Sequence, residues 1–131
     1  MSQTQSTTRI VEVGRVMVPA SDPDKALEFY VGKLGFEKLV DTPFGDGLRW
    51  IEVAPPGSHT PIALVPPREG DPTGIDTHFS LTSEDIDATY AELRDRGVDV
   101  DEQIMRMPAP VPPLFWFRDQ DGNTLMVVQP S

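Results

Sequence analysis

The stretch SDPDKALEFYVGKLG (residues 21–35) carries both the start and the stop signal of a helix. Ser21 or Asp22 can cap its N-terminus, and Pro23 suits the first turn. Gly35 can adopt the left-handed conformation that commonly ends a helix. The apolar residues recur at helical spacing, which predicts one buried face made of Ala26, Leu27, Tyr30, Val31 and Leu34.

The same order of elements returns in the second half of the chain. The stretch SEDIDATYAELRDRG (residues 83–97) is a predicted helix that is capped near Ser83 and stopped by Gly97. Ile86, Tyr90 and Leu93 mark its buried stripe. The alternation of apolar and polar residues predicts strands over 9–18, 36–42, 47–54 and 60–66 in the first half, and over 76–82, 98–106, 113–119 and 123–129 in the second.

The two halves can be aligned on internal landmarks. Gly35 and Gly97 close the two helices, and Trp50 in LRWIEV aligns with Trp116 in LFWFRD. Each half is therefore predicted to be a strand-helix-strand-strand-strand module, over residues 9–66 and 75–129, with a Pro/Gly-rich linker at 67–74. One such half leaves a face of its sheet uncovered, so the two modules are expected to pack around a shared cavity.

Length and composition limit the possible functions. The 131 residues suit a single domain, and 38% apolar residues are enough for a compact core. The absence of cysteine excludes disulfides and thiolate chemistry. A formal net charge of −10 argues against binding to nucleic acid or anionic membranes. Because the N-terminus is polar and no apolar run could cross a bilayer, we expect a cytoplasmic protein.

Two segments resemble the vicinal oxygen chelate superfamily, which includes glyoxalases, bleomycin-resistance proteins and extradiol dioxygenases. VPASDPDKALEFYVGKLGF (18–36) is similar to the first strand and helix of that family, and FRDQDGNTLMVV (117–128) is similar to its last hairpin. The resemblance covers residues 10–129. It implies an α+β fold in which two tandem βαβββ modules form a curved mixed sheet around a shared cavity, and it implies a homodimer.

The resemblance also identifies where a metal would bind. In metal-dependent members, four side chains from the first and fourth strands of each half, typically histidines and glutamates, hold one divalent ion. The matching positions here are Arg15, Ala63, His78 and Met126. Arginine keeps its proton, alanine has no donor atom, and a methionine thioether is a poor ligand for a hard ion. We therefore expect no metal at the family site and no cofactor.

Strand alternation and the resemblance together give a set of residues that are expected to line the cavity. For His78 the alternative is a buried, hydrogen-bonded imidazole, and for Arg15 it is an internal salt bridge to Glu52 or Glu12. For the tryptophans, the methionines and Phe115, the alternative is ordinary packing in the core. The candidate ligand-binding residues are Arg15, Met17, Trp50, Glu52, Ala63, His78, Ser80, Met105, Met107, Phe115, Trp116 and Met126.

Three functions are compatible with this set. The first is metal-free binding of a small organic ligand that carries a carboxylate or polarised carbonyl on an apolar body. The second is an enzyme of the lyase, isomerase or dioxygenase type in the same cavity. That enzyme would be metal-free, with His78 as general base and Arg15 stabilising an oxyanion, or metal-dependent through relocated ligands such as Glu52. The third is an interaction module without a ligand. The proline-rich segment at 107–113 is a candidate cover for the cavity mouth.

Overall fold

The computed structural model describes residues 8–130, so most of the polar N-terminal segment that supported the cytoplasmic prediction lies outside it. Two four-stranded mixed sheets form, with strand orders β1-β4-β3-β2 and β5-β8-β7-β6. This arrangement confirms the predicted fold class. The elements are β1 (Val16–Pro19), α1 (Pro23–Leu27), β2 (Glu37–Pro43), β3 (Arg49–Ala54), β4 (Ile62–Val65), β5 (Asp76–Thr82), α2 (Ile86–Asp95), β6 (Asp99–Val100), β7 (Leu114–Arg118) and β8 (Thr124–Val128).

The first helix begins as predicted but changes its winding. The Asp22 side chain accepts hydrogen bonds from the backbone N–H groups of the second and third residues after it, so Asp22 is the cap. The chain then continues as a π-helix over Glu28–Lys33. A π-helix has more residues per turn than an α-helix. Both Phe29 and Tyr30 therefore reach the core, whereas Val31, predicted to be buried, is exposed.

The second helix is capped by Asp85, two residues after Ser83. The Asp85 carboxylate accepts a hydrogen bond from the backbone N–H of Ala88. The Ser83 hydroxyl instead accepts from the backbone N–H of Asp85, which orients the cap. Gly97, at φ +78°, follows the helix as predicted. No helix within residues 8–130 is long and apolar enough to cross a membrane.

Two predicted strands are shorter than expected. The first was expected over 9–18 but begins only at Val16, because it pairs with β4 from that residue onward. Ile10, Val11 and Val13 are consequently exposed. The strand expected over 98–106 is reduced to Asp99–Val100, with one further bridge between Met105 and Leu114. The proline-rich segment that follows has few backbone donors with which to extend the pairing.

One hydrophobic core is shared by both halves. Strand residues that alternate with the candidate cavity residues are buried in it, among them Val18, Leu64 and Leu125. The Phe29 ring from the first half stacks on the Phe117 ring from the second, with centroids 6.2 Å apart. The opposite face of each sheet therefore points away from this core, and we call these the first open face and the second open face.

The turn DQDGN (119–123), which the sequence predicted only as a hairpin turn, also joins the two halves. The Tyr30 hydroxyl donates to Asp119 Oδ2 over 2.7 Å, and Asn123 Nδ2 donates to the carbonyl of Pro19 over 2.9 Å. The Ser21 hydroxyl and backbone N–H both donate to the Asp121 carboxylate. Burial, followed by the charge of Asp119, raises the pKa of Tyr30 well above its ordinary value.

Candidate functional site

The first open face brings together five of the candidate residues. Ala63 on β4 lies between Met17 on β1 and Glu52 on β3, because it pairs with both. Arg15 precedes Met17 by two residues and Trp50 precedes Glu52 by two, so alternation places both on the same face. Candidate residues that are far apart in the sequence therefore form one surface.

A polar cluster of Arg15, Glu52 and Trp50 occupies part of this face. Arg15 Nε donates to Glu52 Oε2 over 3.1 Å, and Trp50 Nε1 donates to the same oxygen over 2.7 Å. The Glu52 side chain is 11% exposed and that of Arg15 is 46% exposed. Glu52 and Glu12 were the two partners expected for Arg15, and in the structure Arg15 pairs with Glu52. The shared carboxylate also fixes the orientation of the Trp50 indole.

A cavity of about 670 Å³ lies against the first open face. Trp50 contributes one wall, and Phe44 from the β2–β3 turn meets its ring edge-on, with centroids 6.2 Å apart. Glu52 bonds to Trp50 behind this wall and Arg15 bonds to Glu52, but neither residue lines the cavity. The remaining lining residues come from β1, from β4 and from the linker: Met17, Pro19, Val65, Pro66, Pro67, Arg68, Asp71, Pro72 and Ile75.

Sequence reasoning missed part of this wall. Phe44 stands in a turn of sequence PFGDG, and the linker 67–74 was expected only to connect the modules. Two signals in the sequence could have indicated this wall: an aromatic residue in a glycine-rich turn, and three prolines at positions 66, 67 and 72. Both provide rigid apolar surface. Among the described residues that line the cavity, Arg68 and Asp71 are the charged ones, and they are paired over 3.0 Å. The cavity therefore suits an apolar ligand body.

The second open face collects another group of candidates. Met126 on β8 pairs with Ser80 on β5 and with Trp116 on β7, so the three lie side by side. Met105 bridges to the end of β7, and Met107 is exposed in the following loop. No residue of β7 or β8 lines the 670 Å³ cavity. The two open faces are therefore separate surfaces within the described part of the chain.

The two tryptophans lie on equivalent strands but not at equivalent positions. Trp116 is opposite Met126, and the position that corresponds to Met126 in the first half is Ala63. Ala63 is opposite Glu52, which follows Trp50 by two residues. The sequence alignment that matched Trp50 with Trp116 is therefore shifted by two residues in these strands. Because side chains alternate along a strand, a shift of two residues leaves both tryptophans on the same face of their sheets.

The prediction that Phe115 lines the cavity is wrong. Phe115 is fully buried in the core and packs edge-on against Tyr90, with ring centroids 5.1 Å apart. Successive side chains on a strand point to opposite faces, so Phe115 cannot share a face with Trp116.

His78 lies at an irregularity of β5, where the pairing with β8 shifts between Asp76 and Ser80. Its φ is +60°, its backbone N–H donates to Asp76 Oδ1 over 3.0 Å, and its side chain is 82% exposed. The alternative of a buried imidazole is therefore wrong. Arg15 is paired with Glu52 on the other sheet, so the structure does not bring the two catalytic candidates into contact.

The family's metal positions do not fit a divalent ion in this chain. They supply a guanidinium that is already paired with Glu52, a methyl group at Ala63, an exposed imidazole at His78 and a thioether at Met126. Across residues 8–130, no group of three or more His, Asp or Glu side chains is arranged to hold a metal.

Known proteins share this arrangement. The model of the Glyoxalase/Bleomycin resistance protein/Dioxygenase superfamily matches residues 12–127. The chain belongs to this superfamily. The resemblance inferred from the sequence is thereby confirmed, and the tandem modules with their open faces are the form that the superfamily takes here.

Several relatives are similar over nearly their whole length. TnmS3, an antibiotic binding protein from Streptomyces sp. CB03234, is 38% identical with a TM-score of 0.80, covering 93% of this chain and 98% of its own. A superfamily member from Sphaerobacter thermophilus is also 38% identical, with a TM-score of 0.84 and coverage of 92% and 98%. The uncharacterized protein YetH of Bacillus subtilis is 30% identical over 120 residues, which are 90% of this chain and 98% of YetH.

Proposed function

We propose that this protein binds a small organic molecule in the cavity of the first open face and holds it without a metal. The observation that carries the proposal is the apolar cavity of about 670 Å³ beside Trp50. Its volume lies in the range of about 300–1,000 Å³ that is usual for ligand pockets. The name of TnmS3 describes antibiotic binding in a protein 38% identical to this one. Sequestration requires a shaped apolar cavity and a few polar groups but no metal ligands.

The residues around the cavity favour a ligand with an apolar or aromatic body and one polar end. Met17, Phe44 and Trp50 provide the apolar contacts. Within residues 8–130, Arg15 bonds to Glu52 through Nε, and its side chain is half exposed next to the carboxylate that also holds Trp50. Its remaining guanidinium N–H groups suit a carboxylate or a polarised carbonyl at the polar end of the ligand.

A fluorescent probe tests this proposal. We expect 8-anilinonaphthalene-1-sulfonate to bind saturably to the folded protein, with one site per chain. Trp50→Ala should weaken its binding about tenfold, because the variant removes the largest ring in the cavity wall. Val31→Ala is the matched control, since Val31 is exposed on the first helix and lies outside the cavity. Equal affinity of the Trp50→Ala variant and the wild type would contradict the proposed site.

We further propose that the protein is a homodimer whose second copy covers the open faces. Met17 and Met107, on different open faces, are each 52% exposed in the single chain. Apolar surface of this kind is commonly buried between subunits. Sedimentation velocity at micromolar concentration should give the mass of a dimer, and Met107→Glu should shift the protein toward monomer. Val31→Glu, which adds the same charge elsewhere, should leave it dimeric. A wild-type monomer at this concentration would refute the proposal.

A further inference from the structure

A second groove lies between the two halves, away from the cavity of the first open face. We call it the seam groove. Its apolar floor includes Leu34 and Phe36 from the first half and Leu81 and Leu93 from the second, and its acidic rim carries Glu84 and Glu92. Its first part has a volume of about 380 Å³. A second part of about 590 Å³ adjoins it and shares Leu81 and Glu84.

The charge of the seam groove has a single sign. Among the described residues that line either part, none is lysine, arginine or histidine. Asp85 also lines the groove, but its carboxylate caps the second helix. Glu84 and Glu92 form no ion pair with any residue in the described range 8–130. Two exposed carboxylates without an ion-pair partner therefore lie on the rim of an apolar groove.

The two arginines at the C-terminal end of the second helix have other partners. Arg94 lies over the Tyr90 ring, with its guanidinium carbon 5.6 Å from the ring centroid. Arg96 donates to the backbone carbonyl of Lys33 over 2.8 Å. Neither arginine lines the groove. Neither arginine therefore forms an ion pair with Glu92 within the described residues.

We propose that the seam groove binds a small organic cation that carries a protonated amine on an apolar body. The apolar body would contact Leu34, Phe36 and Leu81, and the ammonium group would pair with a carboxylate of the rim, Glu84 or Glu92. A carboxylate beside an apolar surface attracts a cation more strongly than one in open water, because the low-dielectric floor strengthens the interaction. This site does not depend on the ligand proposed for the first open face.

Two matched probes test the inference, 4-phenylbutylamine and 4-phenylbutan-1-ol. They have similar apolar bodies, but only the amine is charged at pH 7. In NMR titrations of the full chain, we expect the amine to bind about five- to tenfold more tightly than the alcohol. Its shifts should centre on the amides of Leu81, Ala88 and Thr89, which line the groove. Raising the salt concentration should reduce the difference between the probes.

Two variants separate the charge from the shape of the groove. Glu84→Gln/Glu92→Gln should reduce amine affinity to that of the alcohol, whereas Glu69→Gln/Glu102→Gln, at exposed carboxylates outside the groove, should change neither. Ala88→Trp should fill the groove and weaken both probes about tenfold. Equal binding of amine and alcohol to the wild type would overturn the proposal. It would also be overturned if amine affinity were unchanged in the double glutamine variant or in Ala88→Trp.

Discussion

Phe117→Ala should lower the free energy of unfolding by about 3–5 kcal/mol, which is the usual cost of removing a large buried aromatic ring. Phe117 is fully buried and stacks on Phe29, with centroids 6.2 Å apart, so the lost ring leaves a cavity between the two halves. Because the interior is close-packed, the surrounding residues relax only partially into that space. Urea unfolding of the wild type and the variant at pH 7 measures the difference.

Trp116→Ala is the matched control for that experiment. Trp116 is the neighbouring residue on the same strand, but it is half-buried on the second open face. At a protein concentration low enough for the chain to be monomeric, we expect it to cost less than half as much stability, since a partly exposed side chain transfers less apolar surface from water on folding. If the two substitutions lowered the free energy of unfolding equally, the shared core would not lie on the face of β7 that carries Phe117.

The second large effect concerns the Arg15–Glu52 pair, and it should be asymmetric. Arg15→Met leaves a carboxylate that is only 11% exposed with no cation beside it, and we expect a cost of about 2 kcal/mol. Glu52→Leu leaves a guanidinium that is 46% exposed and hydrated by water, so it should cost less. The double variant Arg15→Met/Glu52→Leu should recover most of the stability, since no unpaired charge remains. Urea unfolding of the wild type, the two single variants and the double variant gives the free energies for a double-mutant cycle.

The emission of Trp50 provides a second measurement on the same variants, in a Trp116→Phe background that leaves Trp50 as the only tryptophan. Glu52→Leu removes the acceptor of the indole N–H, so the emission maximum of Trp50 should shift. Arg15→Met keeps that acceptor and should leave the maximum nearly unchanged. Equal stability costs together with no shift in either variant would show that Glu52 does not position Trp50.

The sequence alone was enough to predict the architecture, and the prediction that no metal binds at the family positions rests on the sequence as well. Helix ends at Asp22 and Gly97 depend on residues within one turn, and strand faces depend on an alternation of period two. Both are local signals, so the order of elements and most of the buried face followed from them. The replacement of metal ligands by Arg15 and Met126 is likewise a matter of residue identity and requires no coordinates.

Residue identity and alternation also predicted five members of the first open face, but not the cavity itself. Phe44 and the prolines of the linker form its wall because the chain returns to the sheet there, which is a long-range contact. Glu52 could be named as one possible partner of Arg15, but the choice over Glu12 depended on where β1 begins to pair with β4. The periodicity of a sequence cannot identify an ion-pair partner that lies far away along the chain.

The tertiary structure alone decided where the local rules fail. His78 is displaced by an irregularity in β5, and Phe29 becomes buried because the first helix winds as a π-helix against Phe117. Asn123 and Asp119 turned out to join the two halves, since their side chains reach Pro19 and Tyr30 across the core. In each case packing between residues far apart in the chain outweighs a local preference worth about 1 kcal/mol, so only the assembled fold determines the outcome.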